Sequence, residues 1–159
     1  MSQVRAATTA DIPELVRLRA LLFERMEQDL GPPADGADWR KTCAEEFRVR
    51  LGEGTLGAFV VDGANGRLAA CGIGLLDRRL PGPYTPTGRW GHISGMVTDP
   101  AHRRRGHARA IMHELLRWFR DQGVRRVELH ATSDAEPLYR SLGFAEHPEH
   151  ALTWRDAPR

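Results

Sequence analysis

Apolar residues recur at helical spacing in the first third of the chain and predict two amphipathic helices. Leu15, Leu18, Leu22 and Met26 lie three or four positions apart, so a helix would gather them on one face. Residues 39–51 repeat this pattern, with an apolar residue at every fourth position. Glycines follow both segments, and glycine commonly terminates helices. We therefore expect two helices that each turn one side toward a common core.

Short apolar or alternating stretches predict the strands of a single sheet. They cover residues 3–7, 56–62, 67–76, 89–98, 126–131 and 151–154. Amphipathic stretches at 104–122 and 133–141 add a long and a short helix. The order β-α-α-β-β-β-α-β-α-β predicts an α+β fold, a mixed and mostly antiparallel sheet flanked by helices. Gly72 and Gly74 inside a predicted strand indicate a bulge or the close approach of another backbone.

Length, charge and cysteine content narrow the class of protein. The 159 residues suffice for one domain over 1–159 and are too few for two. A net charge of +2 argues against a general nucleic-acid binder. Neither a signal peptide nor an apolar run of membrane-spanning length is found in the sequence, so we expect a cytoplasmic protein. Cys43 and Cys71 are expected to be reduced thiols without a catalytic role, and the scattered histidines predict no metal site.

The junction between the predicted central strand and the long helix combines a glycine with positive charge. Arg103, Arg104 and Arg105 precede Gly106, and no Ser, Thr, Asp or Asn stands immediately before the helix to cap it. The first backbone N–H groups of a helix lack partners within it, and the helix dipole is positive at that end. The pattern predicts a binding site for a phosphate group. An ordinary strand–helix connection with a solvated basic surface is the alternative, since the pattern is not a Walker loop.

Two short motifs resemble the signatures of the GNAT superfamily of acyl-CoA-dependent N-acetyltransferases. Residues 103–108, Arg-Arg-Arg-Gly-His-Ala, are similar to its pyrophosphate-binding motif, Arg/Gln-x-x-Gly-x-Gly/Ala. Residues 138–144, Leu-Tyr-Arg-Ser-Leu-Gly-Phe, are similar to its second signature. One predicted helix and one predicted strand separate the two motifs, as in the family. The resemblance implies a sheet that splays open beside its main strand, acetyl-CoA as co-substrate and an amine as acceptor.

The resemblance also implies two catalytic residues. Tyr139 occupies the position of the family's general acid, which protonates the departing thiolate. The alternative is a tyrosine that anchors the short helix, with its hydroxyl bonded to backbone. His92 aligns with an acidic base of several family members, and imidazole titrates in a suitable range. Because histidine departs from the acidic pattern, a histidine at the sheet rim, a water relay through Ser94, or no dedicated base are alternatives.

By the same resemblance, the contacts with acetyl-CoA fall on the central strand and the basic junction. Backbone N–H groups of the strand would bind pantetheine and the acyl oxygen where the strand loses a neighbour. The arginines and the amides of residues 105–109 would bind the pyrophosphate, and Arg109 would meet the 3′-phosphate. Thr132 stands where many relatives carry an asparagine that contacts CoA. The expected set is Met96, Val97, Thr98, Arg103, Arg104, Arg105, Gly106, His107, Ala108, Arg109 and Thr132.

Acidic residues around the end of the first predicted helix bear on the acceptor. These residues are Glu24, Glu27, Asp29, Asp35 and Asp38. They predict either a rim that attracts a cationic amine or an ordinary solvated loop. A small primary amine is the favoured acceptor. The alternatives are a protein N-terminus or lysine, a non-catalytic acyl-CoA-binding regulatory module, and nucleic-acid contact through the arginines.

Three further expectations concern the surface, the central strand and the core. Residues 151–154 form a predicted edge strand that is suited to pairing in a homodimer. Strand alternation places His92, Ser94, Met96 and Thr98 on one face of the sheet. The large apolar residues Trp90, Trp118 and Trp154 are expected in the core.

Overall fold

The elements of the chain follow the predicted order up to the last strand, in a computed structural model that describes residues 2–31 and 38–156. The strands are β1 (Val4–Ala6), β2 (Leu56–Asp62), β3 (Leu68–Arg78), β4 (Arg89–Ile93), β5 (Val97–Thr98) and β6 (Val127–Leu129). The helices are α1 (Ile12–Leu30), α2 (Trp39–Glu53), α3 (His107–Asp121) and α4 (Glu136–Ser141). The predicted end of the first helix at residues 32–33 and most of the loop predicted at 35–38 lie outside the described residues.

One mixed sheet forms the centre of the fold, with the strand order β1-β2-β3-β4-β6. Its neighbouring strands are antiparallel except β4 and β6, which are parallel because α3 carries the chain across between them. Helices α1 and α2 pack on one face, where Leu15, Leu18 and Phe47 are buried. Helices α3 and α4 pack on the other face, around Ile111 and Leu115. The predicted α+β fold is confirmed.

Glycines on β3 allow α3 to lie directly against the sheet. A Cβ atom on Gly72 would lie 2.5 Å from Cγ2 of Ile111, and one on Gly74 would lie 2.8 Å from the Phe119 ring. Real Cβ atoms do not approach other atoms so closely, so no larger residue fits without moving the helix. These two glycines are thus approached closely by side chains of α3 rather than by another backbone segment. This contact sets the distance between α3 and the sheet, and with it the position of the loop that leads into α3.

Replacing Gly72 by valine is expected to destabilise the protein by about 1–3 kcal/mol, because the added methyl groups overpack the contact with Ile111. Gly52→Ala is the matched control. Gly52 lies inside α2, and a Cβ there meets nothing within 4 Å. This change should stabilise the helix by about 0.5–1 kcal/mol. Urea unfolding curves measure both, and equal midpoints for Gly72→Val and the unmodified chain would contradict the packing argument.

The predicted last strand at residues 151–154 is wrong. These residues have no regular structure, and Leu152 and Trp154 are 93% and 82% exposed. Strand β6 is only three residues long. An edge this short offers a four-residue segment few ladder hydrogen bonds against the entropy cost of ordering the chain. Pairing of this segment with a second copy stays a prediction.

The three tryptophans expected in the core have different surroundings. Trp118 packs against the buried cluster beneath α3, as expected. Trp90 is half-buried under the guanidinium of Arg79, whose carbon lies 4.0 Å from the ring centroid. Trp154 lies in the exposed C-terminal segment, so its predicted place in the core is wrong. The strand prediction and the core prediction for Trp154 fail together, because an unpaired segment cannot bury its side chains.

Candidate active site

A bulge interrupts the predicted central strand in the middle of the sheet. The register pairs Ile93 with Gly74 and Val97 with Cys71, so residues 94–96 face only residues 72–73 of β3. The extra residue requires unusual backbone, and Gly95 has a φ of +95° that favours glycine. The single strand predicted over 89–98 is therefore two strands, β4 and β5.

The bulge shifts the alternation of side chains by one position. Ser94 lines a cavity on the face of α1 and α2, whereas Met96 packs into the cluster beneath α3. Thr98 pairs with Ala70, which belongs to the cluster beneath α3. The expected common face of His92, Ser94, Met96 and Thr98 is therefore wrong beyond Ser94, since two successive residues at the bulge point to the same side.

The sheet opens beyond the bulge, as the resemblance implies. Pairing between β4 and β6 ends at Ile93 and Leu129, and β3 is the one strand that β5 pairs with among the described residues. The Asp99 N–H donates to the Ala69 carbonyl at 2.8 Å. In an antiparallel ladder every second N–H points to the same partner, so the Val97 N–H faces β3 and the Thr98 N–H faces the opening. The expected donors are the N–H groups of Met96, Val97 and Thr98, and of the last two Thr98 is the better placed.

Asp99 and an arginine of α1 fix the entry to the basic loop, residues 103–108. The Asp99 carboxylate accepts a hydrogen bond from the Ala101 N–H at 3.1 Å and caps a short 3₁₀ turn. Arg17 donates to Asp99 at 2.9 Å and also pairs with Glu14 at 2.7 Å. The Ala101 N–H and Arg17 hold the pKa of Asp99 below its usual range, so its charge persists at neutral pH. Helix α1 and the basic loop are thereby held together.

The start of α3 fits a pyrophosphate group. Gly106 is the N-cap residue with a φ of +79°, no side chain caps the helix, and a Cβ at Gly106 would meet nothing within 4 Å. The helix begins at His107 rather than at 104, so its first free amides belong to residues 107–109. Arg104 has a φ of +61°, a conformation that costs about 1–3 kcal/mol for a residue other than glycine. Strain of this kind is common where a loop is shaped for a ligand.

The side chains around this loop divide into exposed charges and structural contacts. Arginines 103–105 are exposed and form no ion pair with any carboxylate of the described chain. His107 Nδ1 lies 2.7 Å from Ser2 Oγ, so its ring contacts the chain start. Arg109 donates to Ser141 Oγ at 2.8 Å, which links α3 to α4. The exposed Thr132 accepts the Glu136 N–H through its carbonyl at 3.0 Å, at the start of α4.

Tyr139 lies on α4 with a buried ring and an accessible edge. The residue is 6% exposed and its ring meets Phe144 edge to face at 6.0 Å between centroids. It lines a cavity of about 530 Å³ between β6, α4 and residues 144–151. Burial raises the pKa of the phenol, and no described group is hydrogen-bonded to the hydroxyl. The hydroxyl is therefore protonated at neutral pH, with its proton free to donate.

His92 lies on the face of the sheet opposite to Tyr139. It pairs with Leu75, which packs against the cluster beneath α1 and α2, and with Glu128 of β6. Its half-buried ring meets that of His130 at 5.9 Å between centroids. Burial, and then the nearby His130, lower the pKa of His92. The imidazole is therefore mainly neutral at neutral pH, as a proton acceptor must be.

A larger cavity of about 1090 Å³ lies between α1, α2 and the sheet. Phe23 and Trp39 form its aromatic walls, with their rings edge to face at 5.8 Å between centroids. Of the acidic residues expected either as a rim or as a solvated loop, Glu24 and Glu27 line it, and Asp29 and Asp38 are not among its lining residues. Asp35 lies outside the described residues. The cavity reaches Ser94 at the bulge, so a bound molecule would meet the opening in the sheet.

Sequence comparison assigns the family. The Acetyltransferase (GNAT) family matches residues 18–144. The chain is 34% identical over 108 residues to glucosamine 6-phosphate N-acetyltransferase 1 of rice, Oryza sativa subsp. japonica, an alignment that covers 64% of each chain. It is 32% identical over 76 residues to glucosamine 6-phosphate N-acetyltransferase of Trypanosoma brucei brucei, covering 47% of this chain and 52% of that protein. The chain thus spans about two thirds and about half the length of these two relatives.

A solved structure agrees in fold. A predicted acetyltransferase from Clostridium acetobutylicum, crystallised with acetyl-CoA, superposes with a TM-score of 0.81 at 25% identity and covers 96% of both chains. The chain therefore belongs to the GNAT acetyltransferase family. The family membership predicted from residues 103–108 and 138–144 is confirmed, and acetyl-CoA fits as the co-substrate.

Among the described residues, no helix has both the length and the apolar character needed to cross a bilayer. These residues contain no group of three or more His, Cys, Asp or Glu side chains arranged to hold a metal ion. Cys71 is buried and Cys43 is half-buried, and both are free thiols.

Proposed function

We propose that this chain transfers the acetyl group of acetyl-CoA to the primary amine of a small molecule, by direct attack of the amine in a ternary complex. The observation that carries the proposal is the opening of the sheet at residues 94–96. The uncapped start of α3 lies at the end of β5, and the large cavity reaches the bulge from the other face. One opening thus offers a donor site and an acceptor site.

The residues beside the opening supply the proton transfers that the reaction needs. His92 would take a proton from the amine as its nitrogen forms a bond to the acetyl carbon. The Thr98 N–H would donate to the acetyl oxygen while negative charge develops there. As the carbon–sulfur bond breaks, Tyr139 would give its proton to the departing thiolate. Each group is in the protonation state that its step requires, because burial raises the pKa of Tyr139 and lowers that of His92.

The cavity and the relatives both favour a small acceptor. A volume of about 1090 Å³ suits a molecule of metabolite size, and aromatic walls such as those of Phe23 and Trp39 are typical of such sites. The rice and trypanosome relatives are named for glucosamine 6-phosphate, which is a primary amine on a phosphorylated sugar. An amino sugar or amino sugar phosphate is therefore the acceptor class to test first.

Release of free thiol from acetyl-CoA across a panel of amines tests the proposal. The panel holds amino sugars and their phosphates, amino acids, polyamines, aminoglycosides and short peptides. We expect at least one small amine to accelerate release well above the rate without amine. A flat panel from protein that binds CoA would replace the proposed enzyme with an acyl-CoA-binding module. Acceleration by peptides alone would move the acceptor to a protein.

A further inference from the structure

An arginine of α1 carries its charge to the inner end of the large cavity. The guanidinium carbon of Arg19 lies 4.9 Å from the centroid of the Phe23 ring, one helical turn further along. Its Nη1 atom lies 3.3 Å from the point where a Cβ on Gly95 would sit. The half-buried guanidinium is thus held between an aromatic wall and the bulge, beside the place where the acetyl group is to be transferred.

This charge is not paired within the described chain. No carboxylate among residues 2–31 and 38–156 forms an ion pair with Arg19. Two arginines near it in sequence, Arg5 and Arg17, are each paired twice. Their partners are Asp11 and Asp62 for Arg5, and Glu14 and Asp99 for Arg17. A partly desolvated guanidinium with no carboxylate partner is a favourable site for an anion from solution.

The charge of Arg19 acts on two thiols on the side of the sheet covered by α1 and α2. Burial raises the pKa of the Cys43 thiol, which lines the cavity, and it raises the pKa of the buried Cys71 thiol to about 12. Arg19 is the strongest opposing charge on both thiols. An anionic group in this part of the cavity would therefore feel a positive charge that solvent screens little.

We propose that Arg19 is an anion subsite of the acceptor cavity, so that the acetylated amine carries a carboxylate or a phosphate bound by this guanidinium. The inference rests on the proposed function and names the acceptor's chemical class. Arg19 would hold the anion beside the bulge, where the amine of the same molecule can reach the acetyl group, and Glu24 and Glu27 would attract the ammonium group as the acceptor enters the cavity.

Matched pairs of acceptors test this subsite. Glucosamine 6-phosphate is compared with glucosamine, and alanine with alaninamide, using unmodified protein, Arg19→Gln, Arg19→Lys and Arg48→Gln. Arg48 is the control, since it is an exposed arginine of α2 that does not line the cavity. We expect Arg19→Gln to lower kcat/KM for the anionic amine by about 10- to 100-fold, mainly through KM. The uncharged partner, KM for acetyl-CoA and the Arg48→Gln variant should change little, and Arg19→Lys should restore part of the loss.

The outcomes separate the subsite from the proposed function. Equal losses for both members of a pair, or an equal loss in Arg48→Gln, overturn the subsite and leave the enzyme intact. The pair with the stronger dependence on Arg19 identifies phosphate or carboxylate as the anion. If no amine is acetylated, the proposed function fails, and calorimetric titration of the same pairs into the CoA complex decides the subsite alone. In that titration, affinities that do not depend on the anion or on Arg19 overturn it.

Discussion

Replacing Tyr139 by phenylalanine is expected to lower kcat by about 10²- to 10⁴-fold while KM for acetyl-CoA stays nearly unchanged. The change removes one oxygen and keeps the ring that packs against Phe144, so the fold and the donor site should persist. A thiolate that leaves without a proton is a poor leaving group, and the loss should therefore appear in the chemical step. Thiol release under saturating acetyl-CoA measures kcat, and calorimetry with CoA measures the donor site.

The second tyrosine of the chain provides the control. Tyr84 is 85% exposed in the connection between β3 and β4, so Tyr84→Phe should leave both kinetic constants within about twofold, as for most surface substitutions. Because burial raises the pKa of Tyr139, unmodified protein should also keep its general acid protonated well into the alkaline range. Full turnover in Tyr139→Phe would show that the thiolate leaves without this residue and that Tyr139 only anchors α4.

The donor side of the site could be predicted from sequence because its signals are local. Residues 103–108 and 138–144 are short segments whose residue types report a helix start and a helix end directly. The start of α3 still differs by three residues, from 104 to 107, since Arg104 and Gly106 adopt left-handed backbone instead of helix. Arginine has a high helical propensity, which is why the sequence predicts helix from residue 104. That propensity carries no information about the loop geometry that Asp99 and Arg17 impose.

The acceptor side of the site depends on tertiary contacts, and most of it could not be predicted from sequence. An apolar run over 89–98 predicts one strand, because alternation cannot show that residues 94–96 face only two residues of β3. The bulge is specified by the register of both strands and by the φ of Gly95. The role of Arg19 could not be predicted from sequence either. The helical repeat places Arg19 beside the apolar face of α1, but its orientation toward Gly95 exists only once α1 packs on the sheet.

The exposed C-terminal segment illustrates the opposite error. Residues 151–154 have strand-like composition, and a pattern of four residues is too short to distinguish a strand from an irregular segment. Whether such a segment pairs depends on the length of the edge it meets, which here is the three residues of β6. Sequence therefore predicts the layers of this fold better than its edges.

Replacing His92 by alanine is expected to lower kcat/KM by about 10²- to 10⁴-fold at neutral pH, if the imidazole removes the amine proton. The sign of the pH dependence follows from its environment. Burial and His130 lower the pKa of His92 below its ordinary value of about 6.5, so the neutral, proton-accepting form prevails at pH 7. As the pH falls through the lowered pKa, the ring gains a proton and kcat/KM should fall with it.

Profiles of kcat/KM against pH distinguish His92 from the other sources of a base. His92→Ala should lose the acid limb that belongs to the imidazole and keep the limb set by the acceptor amine itself. Added imidazole should restore part of the rate. His130→Gln removes the neighbour that lowers the pKa of His92, so the acid limb should move to higher pH. An unchanged profile in His92→Ala would assign proton removal to a water relay through Ser94 or to bulk solvent, since Ser94 is the polar side chain that lines the cavity at the bulge.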